Sequence, residues 1–496
     1  MLFNSIYIIL IAGELLICFK GTLLIMAVKI RFLGGVKTVT GSSHLITAGN
    51  TEVLLDAGLF QGHRDAFYTI NTTFHYNPRT IKAMVLSHAH IDHCGNIPNL
   101  IKQGLRCKIY TTSATKDLAD LMLVDSGKIQ EEDVRYVNKI NRRLGLPLRK
   151  ALYTAKEASR ATKIFRSISY NQKFCIAKDI FATIIDAGHI LGSGITVLDI
   201  KDGERFLRLG YAVDLGRKNL PLLGNPAIPK GLDYLIMEST YGGRLHRPIE
   251  EAQSKLREAI ARAIKRGGKV IIPSFTLERT QEVIYFLNEL LKEKLIPSVP
   301  IYVDSPLATN ITDLFNFHLD FLNEKTRRAF DKGDNPFELL NLRFIREQKE
   351  SKALNTDKRP MIIIAGSGMC ESGRVLHHLQ NNIEDSRNMI LVVGYMAQDT
   401  LGRRIVEKNP FVKVFGVEYE LNAEVVVINA FSGHADQAEL LDFVSGCLPA
   451  SPAGGPLKRI FLVHGELEQS KALADLLVQK GLEVSIPDKD EEVLLN

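Results

Sequence analysis

His88, His90, Asp92 and His93 fall within six positions, in Ser87-His-Ala-His-Ile-Asp-His93, directly after the apolar run Ala83–Leu86. A lone histidine usually packs or sits on a surface, but packing gives no reason for three imidazoles and a carboxylate in one short loop. Nitrogen and oxygen donors at this density suit a borderline cation, which as a Lewis acid acidifies bound water and polarises an ester. A short apolar run ahead of such a loop reads as a buried strand. The four donors therefore emerge at the edge of a sheet, where a cation can reach them from solvent.

The H-x-H-x-D-H spacing resembles the metallo-β-lactamase superfamily, and that resemblance implies further donors after other strands. His189 in Ile184-Ile-Asp-Ala-Gly-His189, Asp214 in Leu209-Gly-Tyr-Ala-Val-Asp214 and His464 in Ile460-Phe-Leu-Val-His464 each follow an apolar, β-branched-rich stretch. The resemblance places His88, His90 and His189 on one ion, Asp92, His93 and His464 on a second, and Asp214 between them. The implied cofactor is a pair of Zn²⁺ ions about 3.5–4 Å apart, activating water for in-line attack. Asp56 in Val53-Leu-Leu-Asp56 also ends an apolar strand. Alone it reads as a strand-to-turn residue before Gly58; the resemblance gives it a hydrogen bond to a ligand or to the attacking water.

Between Asp214 and His464 the pattern changes to strands alternating with helices. Helical runs are predicted at Glu250–Lys265 and Leu277–Lys294, and strands at Lys269–Ser274, Ile301–Asp304, Met361–Ala365 and Met389–Val393. Such alternation implies a parallel sheet with helices on its faces. Glu238 in Met237-Glu-Ser-Thr-Tyr-Gly, His434 in Phe431-Ser-Gly-His-Ala-Asp and His464 in Leu462-Val-His-Gly-Glu resemble, in order, the additional motifs of the β-CASP nucleases. That group contains the pre-mRNA 3′-end-processing endonuclease and bacterial RNase J. The resemblance spans nearly all of residues 26–496, with short bacterial homologues of the end-processing endonuclease as the expected nearest kin. It departs at Ala212-Val213, where the family usually has Ser-Gly before the shared aspartate.

The implied architecture is α/β: a metallo-β-lactamase αββα sandwich over 26–243 and 423–496, interrupted by a β-CASP α/β domain at 244–422. The implied activity is zinc-dependent hydrolysis of RNA phosphodiester bonds, leaving 5′-phosphate and 3′-hydroxyl ends. In that scheme His434 protonates the leaving oxygen and Glu238 orients it, with Asp92 and Asp56 supporting the nucleophile. A phosphate track is expected on the inserted domain, from Ser274, Arg279, Ser305, the loop Ser367-Gly368-Met369 and Arg374, all at strand ends where helix amides can receive anions. Two other readings are open. A hydrolase of a small ester, thioester or lactam leaves the insertion, Glu238 and His434 unused, and a non-catalytic RNA-binding scaffold predicts eroded ligands, which this chain does not have.

The 496 residues suffice for two to four domains with full cores, and a net charge of +6 permits an anionic partner without requiring one. RNA, single-stranded, is the expected partner; a homodimer is left open. The six cysteines show no paired spacing, which fits a reducing, cytoplasmic setting; Cys94, beside His93, is the one candidate for unusual thiol reactivity. Residues Leu2–Ile25 are nearly continuous apolar sequence without a basic n-region. Met26-Ala-Val-Lys opens the first strand of the hydrolase pattern. That favours reading the preceding segment as translated upstream sequence, with a membrane anchor as the alternative, and membrane association is not expected.

Overall fold

A computed structural model describes residues 7–11, 14–18, 28–62, 64–202, 205–428, 431–448 and 457–496. Within the apolar segment 2–25 it describes only Tyr7–Ile11 paired antiparallel with Glu14–Cys18; the anchor reading otherwise lies outside the described residues. No helix among the described residues is long and apolar enough to cross a membrane.

In Val28–Gly34 the residues Val28, Ile30 and Phe32 are buried and those between them half-buried. This period of two marks a strand with one face to a core. It belongs to a seven-stranded sheet ordered Glu492–Leu495, Val28–Gly34, Ser43–Ala48, Thr51–Leu55, Ala83–Val85, Lys108–Thr111 and Phe165–Ser167. A second seven-stranded sheet runs Val484–Ser485, Arg459–Val463, Tyr234–Glu238, Arg205–Ala212, Gly194–Asp202, Ile180–Asp186 and Lys173–Ala177. The two pack face to face: Ile30, Phe32, Ile46 and Val85 of the first share a core with Ile184, Leu209, Ile236 and Phe461 of the second. Helices cover the outer faces, Ser113–Leu144 on the first and Gln437–Cys447 with Leu467–Gln479 on the second. This is the αββα sandwich.

The insertion is a six-stranded, all-parallel sheet ordered Leu342–Phe344, Ile301–Asp304, Ile362–Ala365, Val270–Pro273, Met389–Val392 and Glu424–Val427. Its central strands Val270–Pro273, Ile362–Ala365 and Met389–Val392 are buried at every position. Their continuous apolar runs follow from helices on both faces. The sixth strand, Glu424–Val427, lies beyond residue 422, so the inserted sheet reaches past the span expected for it. One apolar core runs without a break from the helix layer of the first sandwich sheet, at Leu118 and Leu123, to Ile272, Val303 and Ile364 of the insertion.

Edge strand Glu492–Leu495 pairs antiparallel with Val28–Gly34, and its Leu495 is buried opposite Val28. Leu495→Ala is expected to cost about 2–4 kcal/mol, measured as an earlier midpoint of urea unfolding.

Candidate metal and catalytic site

Strand direction brings the donors together. Ile180–Asp186 and Arg205–Ala212 both run antiparallel to Gly194–Asp202, and Tyr234–Glu238 and Arg459–Val463 run parallel to Arg205–Ala212. Four strands of one sheet therefore end at the same edge, releasing His189, Asp214, Glu238 and His464. In the facing sheet Thr51–Leu55 and Ala83–Val85 are parallel and release Asp56 and the His88–His93 loop. The turns are abrupt: Asp56, Asp214 and His464 have φ of 57°, 55° and 46°. Non-glycine residues are uncommon there and gather where geometry is imposed by function.

The loops also stack backbone on backbone. A Cβ on Gly58 would lie 1.6 Å from the Asp92 carbonyl oxygen, and one on Gly216 would lie 1.7 Å from that of Gly188. Only glycine lets these segments approach, which fixes how deep Asp92 and His189 sit.

The expected metal residues form two cages with one shared member. In the first, His90 Nδ1 lies 3.1 Å from His88 Nε2 and 3.2 Å from His189 Nε2, and Asp214 Oδ2 lies 3.2 Å from His88 Nε2 and 3.5 Å from His189 Nε2. In the second, His93 Nε2 is 3.2 Å from His464 Nε2 and 3.4 Å from Asp214 Oδ2, and Asp92 Oδ2 is 3.4 Å from His464 Nε2. Asp214 Oδ1 is buried without a hydrogen bond although His464 Nδ1 stands 2.9 Å away. Converging nitrogens and a carboxylate oxygen left over at hydrogen-bond range are the donor set of a borderline cation, so the residues present fit a bound metal.

The outward ring nitrogens are held. His93 Nδ1 lies 2.8 Å from Asp56 Oδ2, His88 Nδ1 lies 3.0 Å from Ser87 Oγ, and His189 Nδ1 lies 3.0 Å from the Gly433 carbonyl oxygen. Asp56 also accepts from Ser87 N at 2.7 Å, Ser87 Oγ at 2.6 Å and Tyr211 OH at 2.9 Å. Asp56 therefore orients His93 from outside the cage. Ser87, Tyr211 and the Gly433 carbonyl were not expected from sequence, since a hydroxyl on a strand or a backbone carbonyl carries no motif.

Protonation divides along the same line. Burial, with neighbouring His88, lowers His90 to about 3, and burial also lowers His88 and His189, leaving neutral imidazoles with lone pairs to offer. Burial opposes charge on His464 too, but Asp214 and Asp92 overcome it and raise His464 to about 10. Burial is likewise overcome at His93, which Asp214 and Asp56 raise. In the absence of metal the second cage holds protons where a cation would sit.

His434 Nδ1 lies 3.2 Å from Glu238 Oε2, and Glu238, fully buried, also accepts from the Leu215 amide. The His434 ring lies 4.6 Å from that of His189 and keeps partial access to solvent. Burial disfavours its charged form, but Glu238 and Asp214 outweigh it and raise its pKa. Cys94 behaves otherwise than expected. It is buried against the Ala89 carbonyl, and burial with Asp92 and Asp56 pushes its thiol well up, so it is an inert core residue.

Ser274, Ser305 and the Ser367–Met369 loop follow three adjacent parallel strands, as expected. Their side chains are less available than expected. Ser305 caps the helix Pro306–Phe317 by accepting from Ala308 N at 3.2 Å, and Ser274 Oγ donates to the Phe275 carbonyl at 3.2 Å and accepts from Thr280 Oγ1 at 3.1 Å. Ser367 Oγ accepts from Glu371 N at 3.1 Å, Gly368 lies under the Phe275 ring, and the Met369 carbonyl accepts from Gly402 N at 3.1 Å. Arg374 does not reach out as a phosphate ligand: Asp304 and the carbonyls of Ile345 (3.1 Å) and Arg346 (2.7 Å) engage its guanidinium. It opens the helix Arg374–Asn382. Arg279 pairs with Glu282 and stacks 5.9 Å over Phe431, beside Gly433 and so beside the metal centre. A neighbour missed from sequence is Glu278, whose Oε2 accepts from Leu191 N at 3.1 Å and ties the insertion to the His189 loop.

Three family descriptions match successive parts of the chain: the metallo-beta-lactamase superfamily over residues 36–124, the Beta-Casp domain over 280–405, and the Zn-dependent metallo-hydrolase RNA specificity domain over 418–487. Ribonuclease TTHA0252 of Thermus thermophilus is 36% identical over 453 residues, which are 91% of this chain and 96% of that protein. The chain belongs to the β-CASP family of the metallo-β-lactamase superfamily. The transcription termination factor FttA of Pyrococcus horikoshii is 32% identical over 94% of this chain and 71% of its own length, and that of Methanosarcina mazei 30% over 90% and 68%. A crystal structure of a protein of unknown function from Enterococcus faecalis V583 superposes with a TM-score of 0.52 at 14% identity, covering 95% of this chain and 100% of that one, a likeness of fold. Members of this family carry metallo-hydrolase domains, and the His/Asp cages here are a metal-binding site.

Two outcomes follow from the cages. Asp56→Asn keeps the shape of the side chain but removes its charge, so metal affinity should fall about 10–100-fold while the fold persists, read by competition with a chromogenic chelator. Because Asp214 and Asp92 outweigh burial and raise His464 to about 10, metal uptake at neutral pH should displace a proton and affinity should weaken as pH falls. Calorimetry in buffers of different ionisation enthalpy would measure that release; uptake without proton release would contradict it.

Proposed function

We propose that the chain is a ribonuclease that binds two Zn²⁺ ions and hydrolyses RNA phosphodiester bonds, leaving 5′-phosphate and 3′-hydroxyl ends. The observation that carries this reading is a pair of cages joined by Asp214, with the Glu238–His434 pair alongside. The names of the relatives, a ribonuclease and transcription termination factors, point to RNA as the substrate.

His88, His90 and His189 would hold one ion, Asp92, His93 and His464 the other, and Asp214 both. When bound, two such cations supply a water acidic enough to act as nucleophile near neutral pH and offset charge on the phosphate. The protein does the rest. Asp56 holds the His93 ring, and the Gly433 carbonyl holds the His189 ring, so ligand lone pairs point inward. With Nδ1 committed to Glu238, His434 presents Nε2, and as an imidazolium it donates the proton that the departing ribose 3′-oxygen needs. Glu238 is anchored by the Leu215 amide, one residue after Asp214, which ties the proton donor to the metal cage. Arg279 and the backbone of the Ser367–Met369 loop are the candidates left for holding substrate phosphates, now that Arg374 and Ser305 are engaged within the fold.

Two experiments test this. Metal-loaded protein incubated with one RNA labelled at its 5′ or its 3′ end should yield products bearing 5′-phosphate; no cleavage with any divalent metal would overturn the reading. His434→Ala should retain metal and RNA affinity but slow cleavage by about 10²–10⁴-fold. An RNA with sulfur in place of the scissile 3′-oxygen has a leaving group that needs little protonation and should recover much of that loss. Loss of zinc in His434→Ala, or no selective recovery, would remove His434 from the donor role.

A further inference from the structure

Three adjacent strands of the inserted sheet send the chain to opposite faces as they end. Val270–Pro273 is followed by the helix Arg279–Lys292, whose Val283 and Leu287 join the core shared with the sandwich. Its neighbours on either side, Ile362–Ala365 and Met389–Val392, are followed by Arg374–Asn382 and Leu401–Val406, whose Val375 and Ile405 join the core on the other face. Where neighbouring parallel strands diverge in this way a crevice opens beyond their carboxyl ends, and open α/β sheets bind ligands there.

Two aromatic rings stand at the mouth of this crevice. Phe275, just beyond Pro273, is 40% exposed, and Tyr395, just beyond Val392, is 47% exposed, although the strands that lead to them are buried at every position. The Phe275 ring lies across the loops of both neighbouring strands: a Cβ on Gly368 would stand 2.7 Å from its Cδ2, and one on Gly394 would stand 3.5 Å from its Cε2. A side chain at 368 would displace the ring, so glycine there lets it rest on backbone. Tyr395 is the next residue after Gly394, which puts both rings at one opening. Among the described residues neither ring packs against another aromatic ring. Single exposed aromatics are ordinary on a surface; two at one switch point, one of them seated on glycine, are placed for a ligand.

The same loops lead to the metal centre. One turn of chain after Phe275, Arg279 brings its guanidinium beside Gly433: a Cβ there would lie 3.7 Å from Arg279 Nη2 and 3.5 Å from His189 Cε1. Tyr241 joins the crevice to the proton donor, its ring 6.2 Å from that of His434. Burial raises the pKa of the Tyr241 hydroxyl, Ser432 and Arg279 oppose the rise and Tyr395 adds to it, so all three stand around that hydroxyl. We propose that Phe275 and Tyr395 form a stacking platform for an unpaired base of the RNA beside the scissile phosphate, which selects single-stranded substrate. Every base has a π-face that an aromatic ring accepts whatever the sequence, and an unpaired base is free to turn that face to the protein. A base within a duplex is already stacked above and below. The platform rests on the ribonuclease reading for its ligand, and it gives the insertion a means of recognition that Arg374 and Ser305, engaged within the fold, do not supply.

The test is binding by fluorescence anisotropy to the full-length, metal-loaded chain carrying His434→Ala, in which cleavage is slow. The labelled ligands, equal in length, are an RNA strand without self-complementarity, the same strand in a duplex, and a ribose-phosphate oligomer without bases. Phe275→Ala and Tyr395→Ala should each weaken binding of the single strand by about 5–150-fold, the usual contribution of one stacked base. Phe275→Leu, which fills the loop without a π-face, should show a similar loss, and Tyr395→Phe, which keeps the ring, should retain affinity. Neither alanine variant should change affinity for the duplex or the baseless oligomer. Unchanged affinity for the single strand in either alanine variant would overturn the proposal, and so would an equal loss on the baseless oligomer, which would make the rings supports of the loops. Because binding is read apart from cleavage, a chain that binds in the expected pattern but whose wild type cleaves no RNA would sink the ribonuclease reading and not the platform.

Discussion

A carboxylate buried among four imidazoles sets the terms for everything around it. Asp214 has four histidine nitrogens, on His88, His93, His189 and His464, within 3.5 Å, and water has no access to it. Removing a carboxylate from water costs several kcal/mol unless positive charge stands close by. Protons on His93 and His464 can provide that charge, and so can cations held by the same groups. The requirement accounts for the density of donors. Each cage alone is a cluster of metal-type donors, and their sharing of Asp214 makes the two a single electrostatic unit.

Meeting that requirement constrains the backbone over most of the sandwich. The residues near Asp214 come from five strands in two sheets, so those strands must end at one edge, and the loops must cross within van der Waals contact of one another. Gly58 and Gly216 are where this leaves no room for a side chain, and the left-handed turns at Asp56, Asp214 and His464 are where the chain bends sharply enough to aim a donor inward. Local strain of this kind persists only when the surroundings over-determine it. Here the facing sheets and their shared core supply that restraint.

The insertion is not a loose appendage. Its core is continuous with the helix layer of the first sheet, Glu278 accepts from the backbone just after His189, and His318 reaches across to Asp117 at 2.8 Å. Burial and the neighbouring Glu282 push the Glu278 carboxyl well above its ordinary range, and the link it makes between domains is a hydrogen bond from a backbone amide rather than an ion pair. The strand ends of the insertion thereby keep a fixed relation to the metal cages, which is what a long polymeric substrate lying across both would need.

The residue types and their order determined most of the site. The seven residues that converge in the two cages, with Glu238 and His434, were legible because each stands in a short motif after an apolar strand, and the alternation of strands and helices revealed the parallel insertion. The sixth inserted strand, Glu424–Val427, escaped the expected span because a four-residue edge strand carries too little periodicity to mark a boundary. What tertiary structure alone decided was partnership. Arg374 looked like a phosphate ligand at a helix start, but Asp304 and two carbonyls, brought to it by other strands, already hold it. Cys94 adjoins a metal ligand in sequence yet points into the core. Tyr211, Ser87, Glu278 and the Gly433 carbonyl orient the site with no motif of their own, because a hydrogen bond between distant segments depends on where the chain returns in space. Spacing along a chain shows which groups are present; only packing shows which of them are still free to act.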